Sequence, residues 1–308
     1  MSSIAILRRL LMIAAIGGLL PLGAAYWWPF ELLSHFRLQY VVLAALLAAL
    51  AFACRQRTPG ALLVITAAIN AWPLLPYLPR PAEAASPQTF SVLNVNVNSD
   101  NAAHAEIVDA ILAAGPDLIA VLELSHGLDE ALLTLAEDYP HRLTVPGFGN
   151  FGIGVVSRYP FENAGSIALG ATTAIDATVE LPAGRLRFLA VHLVPPLGSD
   201  LAVERNRELD ELASYTADVA EPLLVCGDFN LTPYSPFFGR FTREAELRDV
   251  RLGTGLDISW PTFMPLLGVP IDHCLIRGPL RANSVSRLER IGSDHYPVQL
   301  SLSWLDER

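Results

Sequence analysis

Six short motifs place polar, chemistry-bearing residues at or near the ends of apolar runs. Glu123 closes Asp-Leu-Ile-Ala-Val-Leu-Glu, and His192 interrupts Leu-Ala-Val-His-Leu-Val. Asp228 and Asn230 follow Leu-Leu-Val-Cys in Gly-Asp-Phe-Asn. Asp272 and His273 come directly after Val-Pro-Ile, and Asp294 and His295 precede Tyr-Pro-Val. Asn94 and Asn96 lie inside an alternating run. Singly, each has an ordinary structural reading. A carboxylate after a strand caps a turn or a helix, and a His in an apolar strand is a hydrogen-bonded core residue. Together they form an oxygen-rich set with imidazoles beside it. Carboxylates and amides suit a hard cation, and Mg²⁺ takes one or two carboxylates while keeping waters and substrate phosphate. Such an ion acts as a Lewis acid on a phosphoryl oxygen. No thiolate or multi-histidine cluster argues for zinc. All 21 basic residues are Arg, so Schiff-base lysines, P-loop lysines and Ser-Lys dyads are excluded.

These residues need elements to hold them. Thr89–Val97 alternates apolar and polar residues, as a half-buried strand does. A helix is expected over His104–Ala114, stopped by Gly115-Pro116, and a second amphipathic one is marked by Leu128, Leu132, Leu135 and Tyr139. Leu118–Leu122, Gly152–Ser157, Ala174–Leu181, Arg187–Leu193, Pro222–Cys226, Ile271–Ile276 and Val298–Leu302 read as strands. A long helix is expected near Leu201–Val219. Strands and helices intermix, which gives an α/β or α+β class.

The hydrophobic fraction of 52% is high and unevenly spread. Leu10–Trp28, Leu38–Cys54 and Thr58–Leu78 carry no acid and no base. A helix needs ~20 such residues to cross a bilayer, so residues 1–80 read as a membrane segment of about three transmembrane helices. Arg8, Arg9, Arg55 and Arg57 fall on one side of these spans, and Arg37 and Arg80 on the other. The positive-inside bias then puts the N-terminus in the cytoplasm and the following domain outside. A signal peptide at the N-terminus is the alternative reading of the first stretch. Residues 81–88, rich in Pro and Ala, form a linker, and the domain runs over 89–308.

Asn94, Glu123 closing its strand, Val-His192-Leu, Gly-Asp228-Phe-Asn230, Ile-Asp272-His and Gly-Ser-Asp294-His295-Tyr-Pro occur in the order found in one enzyme superfamily. The chain resembles the endonuclease/exonuclease/phosphatase superfamily over about residues 89–303, and its membrane segment resembles that of a bacterial membrane-bound branch. The resemblance implies a four-layer sandwich, two packed mixed β-sheets flanked by helices. It implies that Asn94, Glu123 and Asp294 hold Mg²⁺ or Mn²⁺. It implies that Asp228 and Asn230 position the nucleophilic water and the phosphate. His295 would contact the scissile phosphate, Asp272 would orient its ring, and His192 would be a second donor on the phosphate side. Arg158 is either a phosphate ligand or a surface residue, and His104, His126 and His141 match no motif.

The expected reaction is phosphoester or phosphodiester hydrolysis. Residues 81–308 hold fifteen Arg against thirty Asp and Glu. That acidity opposes tight, non-specific nucleic-acid binding, which rests on cations neutralising phosphates. A membrane anchor raises the local concentration of lipid headgroups. The preferred substrate is therefore a membrane-associated phosphate ester or lipid pyrophosphate. An extracytoplasmic nuclease is the alternative, and a non-catalytic membrane interaction protein the third reading. The apolar residues Trp260, Phe263, Met264, Leu266, Leu267 and Val269 read first as core; exposed, they would meet acyl or isoprenoid chains. Cys54, Cys226 and Cys274 read as small buried hydrophobes, a Cys226–Cys274 bridge being open only in an oxidising compartment.

Overall fold

The computed structural model describes residues 3–81 and 88–305. Most of the linker, residues 82–87, lies outside the described residues. The chain begins with α1 (Ser3–Gly17), α2 (Trp28–Ser34), α3 (Arg37–Ala53) and α4 (Arg57–Ala71). Ser3–Gly23 and Arg57–Tyr77, each 21 residues with short 3₁₀ extensions, are long and apolar enough to cross a membrane. The pair α2 and α3 would count as a third such stretch, but it bends by 70° between the two helices. Leu10–Trp28 is thus not one helix. It breaks after Gly17, and Arg8 and Arg9 lie inside α1 rather than ahead of it. The ends of three helices meet at one level. Arg37 donates to Asn70 Oδ1 at 3.2 Å, and Asn70 Nδ2 donates to the Gly18 carbonyl at 2.9 Å. Cys54 is exposed.

The domain continues with β1 (Thr89–Asn96), α5 (His104–Ala114), β2 (Leu118–Leu122), α6 (His126–Ala131), β3 (His141–Val145) and β4 (Ile153–Ser157). Then come β5 (Phe161–Leu169), β6 (Thr172–Leu181), β7 (Gly184–His192), α7 (Ser199–Ala217), β8 (Leu223–Asp228) and α8 (Pro236–Glu244). The last strands are β9 (Arg248–Asp249), β10 (Asp272–Arg277), β11 (Leu280–Arg287) and β12 (Val298–Trp304). They form two six-stranded sheets, ordered β11-β12-β1-β2-β4-β3 and β5-β6-β7-β8-β10-β9. Both sheets mix parallel and antiparallel pairs: β1 is parallel to β2, and β7 to β8.

The alternation of side chains along each strand decides the layering. Phe90 and Val92 of β1, Leu118 and Ala120 of β2, Leu186, Phe188 and Ala190 of β7, and Leu224 and Cys226 of β8 fill the space between the sheets. Their neighbours in sequence face outward. Leu93, Val95, Ile119 and Val121 pack under α5 on Ile107 and Ile111. Leu189, Val191 and Val225 pack under α7 and α8 on Leu209, Leu212 and Phe241. Each fully buried Leu, Ile or Val contributes ~1.5–3 kcal/mol of transfer free energy, so both faces of both sheets hold the sandwich together.

Cys226 and Cys274 oppose each other on β8 and β10 and are joined by a disulfide. Both are buried, as expected, and the bridge that the sequence leaves open is formed: the antiparallel register brings their Cα atoms to 4.1 Å. Alkylation of the denatured full chain should label only Cys54 without reductant and all three cysteines after reduction. Labelling of all three before reduction would contradict the bridge.

Candidate active site

The inward register of the strands does not stop where the apolar core stops. On β1 the inward series Phe90, Val92 continues as Asn94, Asn96. On β7 it continues from Ala190 to His192, and on β8 from Cys226 to Asp228. On β10 it begins with Asp272 before Cys274. Cross-strand pairing then sets His192 opposite Asp228, and Asp228 opposite Asp272. One end of the cleft between the sheets is therefore polar, with every one of these side chains buried. Gly227 permits this closeness, since a Cβ there would lie 1.9 Å from the Val191 carbonyl oxygen.

Residues beyond the strands complete the site. Glu123 adopts a left-handed backbone, φ 59°, just past β2, a conformation that costs a non-glycine residue free energy. Its Oε1 accepts from Asn96 Nδ2 at 3.0 Å, and its Oε2 from the Ser99 amide at 3.1 Å. The loop before β12 brings Asp294 and His295. Ser293 anchors it by donating to the Asn96 carbonyl at 2.8 Å and accepting from the His295 amide at 3.0 Å. Asp294 accepts from Asn98 Nδ2 at 2.8 Å and from Trp260 Nε1 at 3.0 Å. His295 Nδ1 lies 2.8 Å from Asp272 Oδ2, and its Nε2 lies 3.7 Å from Asp228 Oδ2. His192 Nε2 is 3.6 Å from that same oxygen, and Asn96 Nδ2 donates to it at 3.4 Å. Asn230 holds the other carboxylate oxygen, donating its amide to Asp228 Oδ1 at 2.8 Å. Asn94 Nδ2 reaches the Gly227 carbonyl at 3.5 Å, and its Oδ1 is buried without a partner.

The structure thus gathers Asn96, Glu123, His192, Asp228, Asn230, Asp272, Asp294 and His295 into one hydrogen-bonded or ion-paired cluster, and Asn94 sits beside it. Asn98, Ser99, Trp260 and Ser259, whose Oγ accepts from the Asp272 amide at 3.1 Å, belong to the site but to none of the sequence motifs. Period two keeps Asn94 and Asn96 on one side of β1, but the strand ends at Asn96, and Asn98 enters the site from a left-handed backbone, φ 62°. His273 stands apart: it is buried under α8 against Phe238, with Nε2 2.9 Å from the Leu231 carbonyl. Arg158 is structural, donating to the Pro116 carbonyl and the Tyr139 hydroxyl while covering the Tyr139 ring.

Electrostatics divides the titratable groups. Burial by itself depresses the His295 imidazole, but the charge and hydrogen bond of Asp272, with Asp228 and Asp294 behind, outweigh it and raise the pKa to about 10. Burial raises Asp272, and the His295 imidazolium more than offsets that, holding the carboxylate below its usual range. Asp228 goes the other way: burial first, then the Asp272 charge, lifts it to about 8. Burial and the neighbouring His295 charge push His192 down to about 4, so its ring is neutral at pH 7. Burial also raises Glu123, against the lowering effect of its amide donors. A carboxyl that ionises near pH 8, an imidazolium and a neutral imidazole surround one point; once the carboxyl is ionised they supply a proton acceptor and two donors.

Comparison with known proteins accords with this geometry. The model of the endonuclease/exonuclease/phosphatase family matches residues 92–295. The chain belongs to that family. Among solved structures, a humanized zebrafish (D. rerio) TDP2 carrying 14 mutations superposes with a TM-score of 0.60 at 17% identity, covering 70% of this chain and 99% of that one. An endonuclease/exonuclease/phosphatase from Beutenbergia cavernae gives 0.60 at 20% identity, covering 71% and 72%. The human nocturnin catalytic domain with bound sulfate gives 0.58 at 20%, covering 72% and 96%. These likenesses establish the DNase I-like fold. No curated protein sequence matches the chain. Family and fold make the protein a phosphoester hydrolase in the broad sense.

Proposed function

We propose that the chain is a membrane-anchored, divalent-metal-dependent hydrolase of a lipid-linked phosphate ester or pyrophosphate. Two donor sets bear on the metal. Donor atoms of Asp228, Asp272 and His295 lie within 4.8 Å of one another, but the Asp272–His295 hydrogen bond already satisfies two of them. His295 as an imidazolium has no lone pair to offer, whereas the unpartnered Asn94 Oδ1 and the Glu123 carboxylate, whose oxygens accept one amide each and keep further lone pairs, fit a hard cation better. Glu123, Asn94 and Asp294 would hold Mg²⁺ or Mn²⁺. When bound, the ion supplies Lewis acidity to a phosphoryl oxygen. Asp228 takes the proton of the attacking water, and Asn230 fixes that carboxylate. His295, kept protonated by Asp272, donates to charge growing on the phosphoryl group, and neutral His192 donates from the opposite side.

The substrate reading is carried by one observation. Phe263, Met264, Leu266 and Leu267 are exposed, Leu266 at 88%, so the expectation that they belong to the core is corrected. Their loop is tied to the membrane segment: Gln39, in the first turn of α3, donates to the carbonyls of Leu266 and Gly268 at 3.4 and 3.0 Å. The same loop carries Trp260, which holds Asp294. An apolar surface thus adjoins both a membrane helix and the reaction centre. Three crossings fit the meeting of the Gly18, Arg37 and Asn70 ends on the domain side, and the excess of Arg at the opposite ends argues for the domain outside. The disulfide supports the same placement.

The test is the full chain in lipid nanodiscs, with Mg²⁺ and with chelator. Substrates are polyprenyl pyrophosphate, phospholipids, inositol phosphates and plasmid DNA. Chelator-sensitive release of phosphate or headgroup from the lipids is expected. Comparable turnover of plasmid DNA with none of any lipid would overturn the substrate reading.

A further inference from the structure

The short helix α2 is not a passive part of the anchor. Glu31 within it is 1% exposed and forms a buried ion pair with Arg205 of α7, which is 0% exposed. Arg205 Nη2 lies 2.7 Å from both Glu31 carboxylate oxygens, across 174 residues of chain. Arg205 Nη1 in turn donates to the Asn230 carbonyl at 3.3 Å.

The loop that follows Asp228 is gripped at further points from the same direction. His35 Nδ1 lies 3.0 Å from Thr232 Oγ1. Tyr77 packs edge-on against Tyr234, with ring centres 6.0 Å apart. Ser235, whose hydroxyl caps α8, donates to Glu31 Oε1 at 2.8 Å. Asn230 itself sits at φ 52°, in the left-handed region, which surrounding contacts must maintain. It holds Asp228 through its amide and the Leu193 carbonyl through its side chain, at 2.8 and 2.7 Å.

We infer that Glu31 is a positioning residue: through Arg205 it fixes Asn230, and so Asp228, making the membrane segment a constituent of the reaction centre. This rests on the hydrolase reading above. An interaction that only orders the attacking machinery acts on the transition state, so its loss lowers kcat and leaves KM in place.

The experiment uses the full chain in nanodiscs, with Mg²⁺ and bis(p-nitrophenyl) phosphate as a soluble probe. Glu31→Gln should lower kcat per folded molecule at least ~10-fold, the scale of a misplaced catalytic group, with KM unchanged within about twofold. Glu31→Asp should recover most of the rate. Because one unpaired buried charge can prevent folding, the double variant Glu31→Leu with Arg205→Met removes both charges together and should fold with the same low kcat. Hydrogen exchange over residues 229–235 should accelerate in Glu31→Gln and in the double variant. Unchanged kcat per folded molecule, or unchanged exchange over that loop, overturns the inference. A wild-type chain inert towards every phosphoester would sink the hydrolase reading alone, and the exchange data would still decide whether the loop is clamped.

Discussion

Replacing Asp228 with Asn is expected to lower kcat by ~10²–10⁴-fold, the usual worth of a general base, while leaving the fold no less stable. Asn keeps the shape and can still accept the Asn230 amide hydrogen bond at the position of Oδ1. It removes a carboxylate that burial and the Asp272 charge lift to about 8. The sign follows from linkage: a carboxyl whose folded pKa exceeds its unfolded value costs stability once pH rises above the unfolded value. The variant should therefore melt at or above the wild-type temperature, by ~2–4 °C for each kcal/mol relieved in a domain of this size. Scanning calorimetry and steady-state kinetics on the same preparation give both numbers. A destabilised variant with wild-type turnover would reverse both halves of the argument. A loss of activity joined to a gain of stability is what a functional site held under electrostatic tension should show.

Asp272→Asn should move the whole pH–rate profile to lower pH. With Asp272 ionised, His295 stays protonated until the pH passes about 10. Without that charge, burial pulls the imidazole back towards or below the ordinary value of ~6.5, and the alkaline limb follows. Asp228 moves in the same direction, because the Asp272 charge is one of the causes raising it. Both limbs thus shift together, and at pH 8 kcat should fall by ~10²-fold, with partial recovery near pH 6. The Asp272–His295 pair also contributes stability. The His295 share is full below the unfolded imidazole pKa and is lost as pH rises through about 10, while the Asp272 share is full above the unfolded carboxyl pKa and is lost as pH falls through its depressed folded value. A profile with both limbs unmoved, measured as kcat against pH in saturating Mg²⁺, would show that His295 does not act as the imidazolium.

The strands visible in the sequence and the strands missed differ in one physical respect. β3, β5, β9 and β11 escaped the reading, and they are the four edges of the two sheets. A central strand is buried on both faces and reads as an apolar run, as Leu118–Leu122 does. β11, Leu-Arg-Ala-Asn-Ser-Val-Ser-Arg, is mostly half-buried or exposed, and only its hydrogen bonds to β12 make it a strand. Helix α8 was missed although its start was legible: Ser235 caps it and Pro236 opens it. For the site, the strand-borne residues His192, Asp228 and Asp272 were legible because a polar side chain inside an apolar run demands a reason. Trp260 and Ser99 gave no such signal. They sit in loops and acquire their role only from what the fold places opposite them, Asp294 and Glu123. The Glu31–Arg205 pair was beyond reach for the same reason, since nothing local in either segment announces a partner so far along the chain.

Phe90, Val92, Asn94 and Asn96 share one side of β1, and Leu93 and Val95 share the other. One ruler therefore marks out both the interior and the reaction centre. Inserting or deleting a single residue upstream in that strand would turn both asparagines towards α5 and bring Leu93 and Val95 into the cleft. Such an error could not spoil chemistry alone, because it would misdirect the hydrophobic set in the same stroke. In lineages of this chain, length changes should accordingly be confined to the loops, while the spacing from Phe90 to Asn96 stays constant even where the residues between are exchanged.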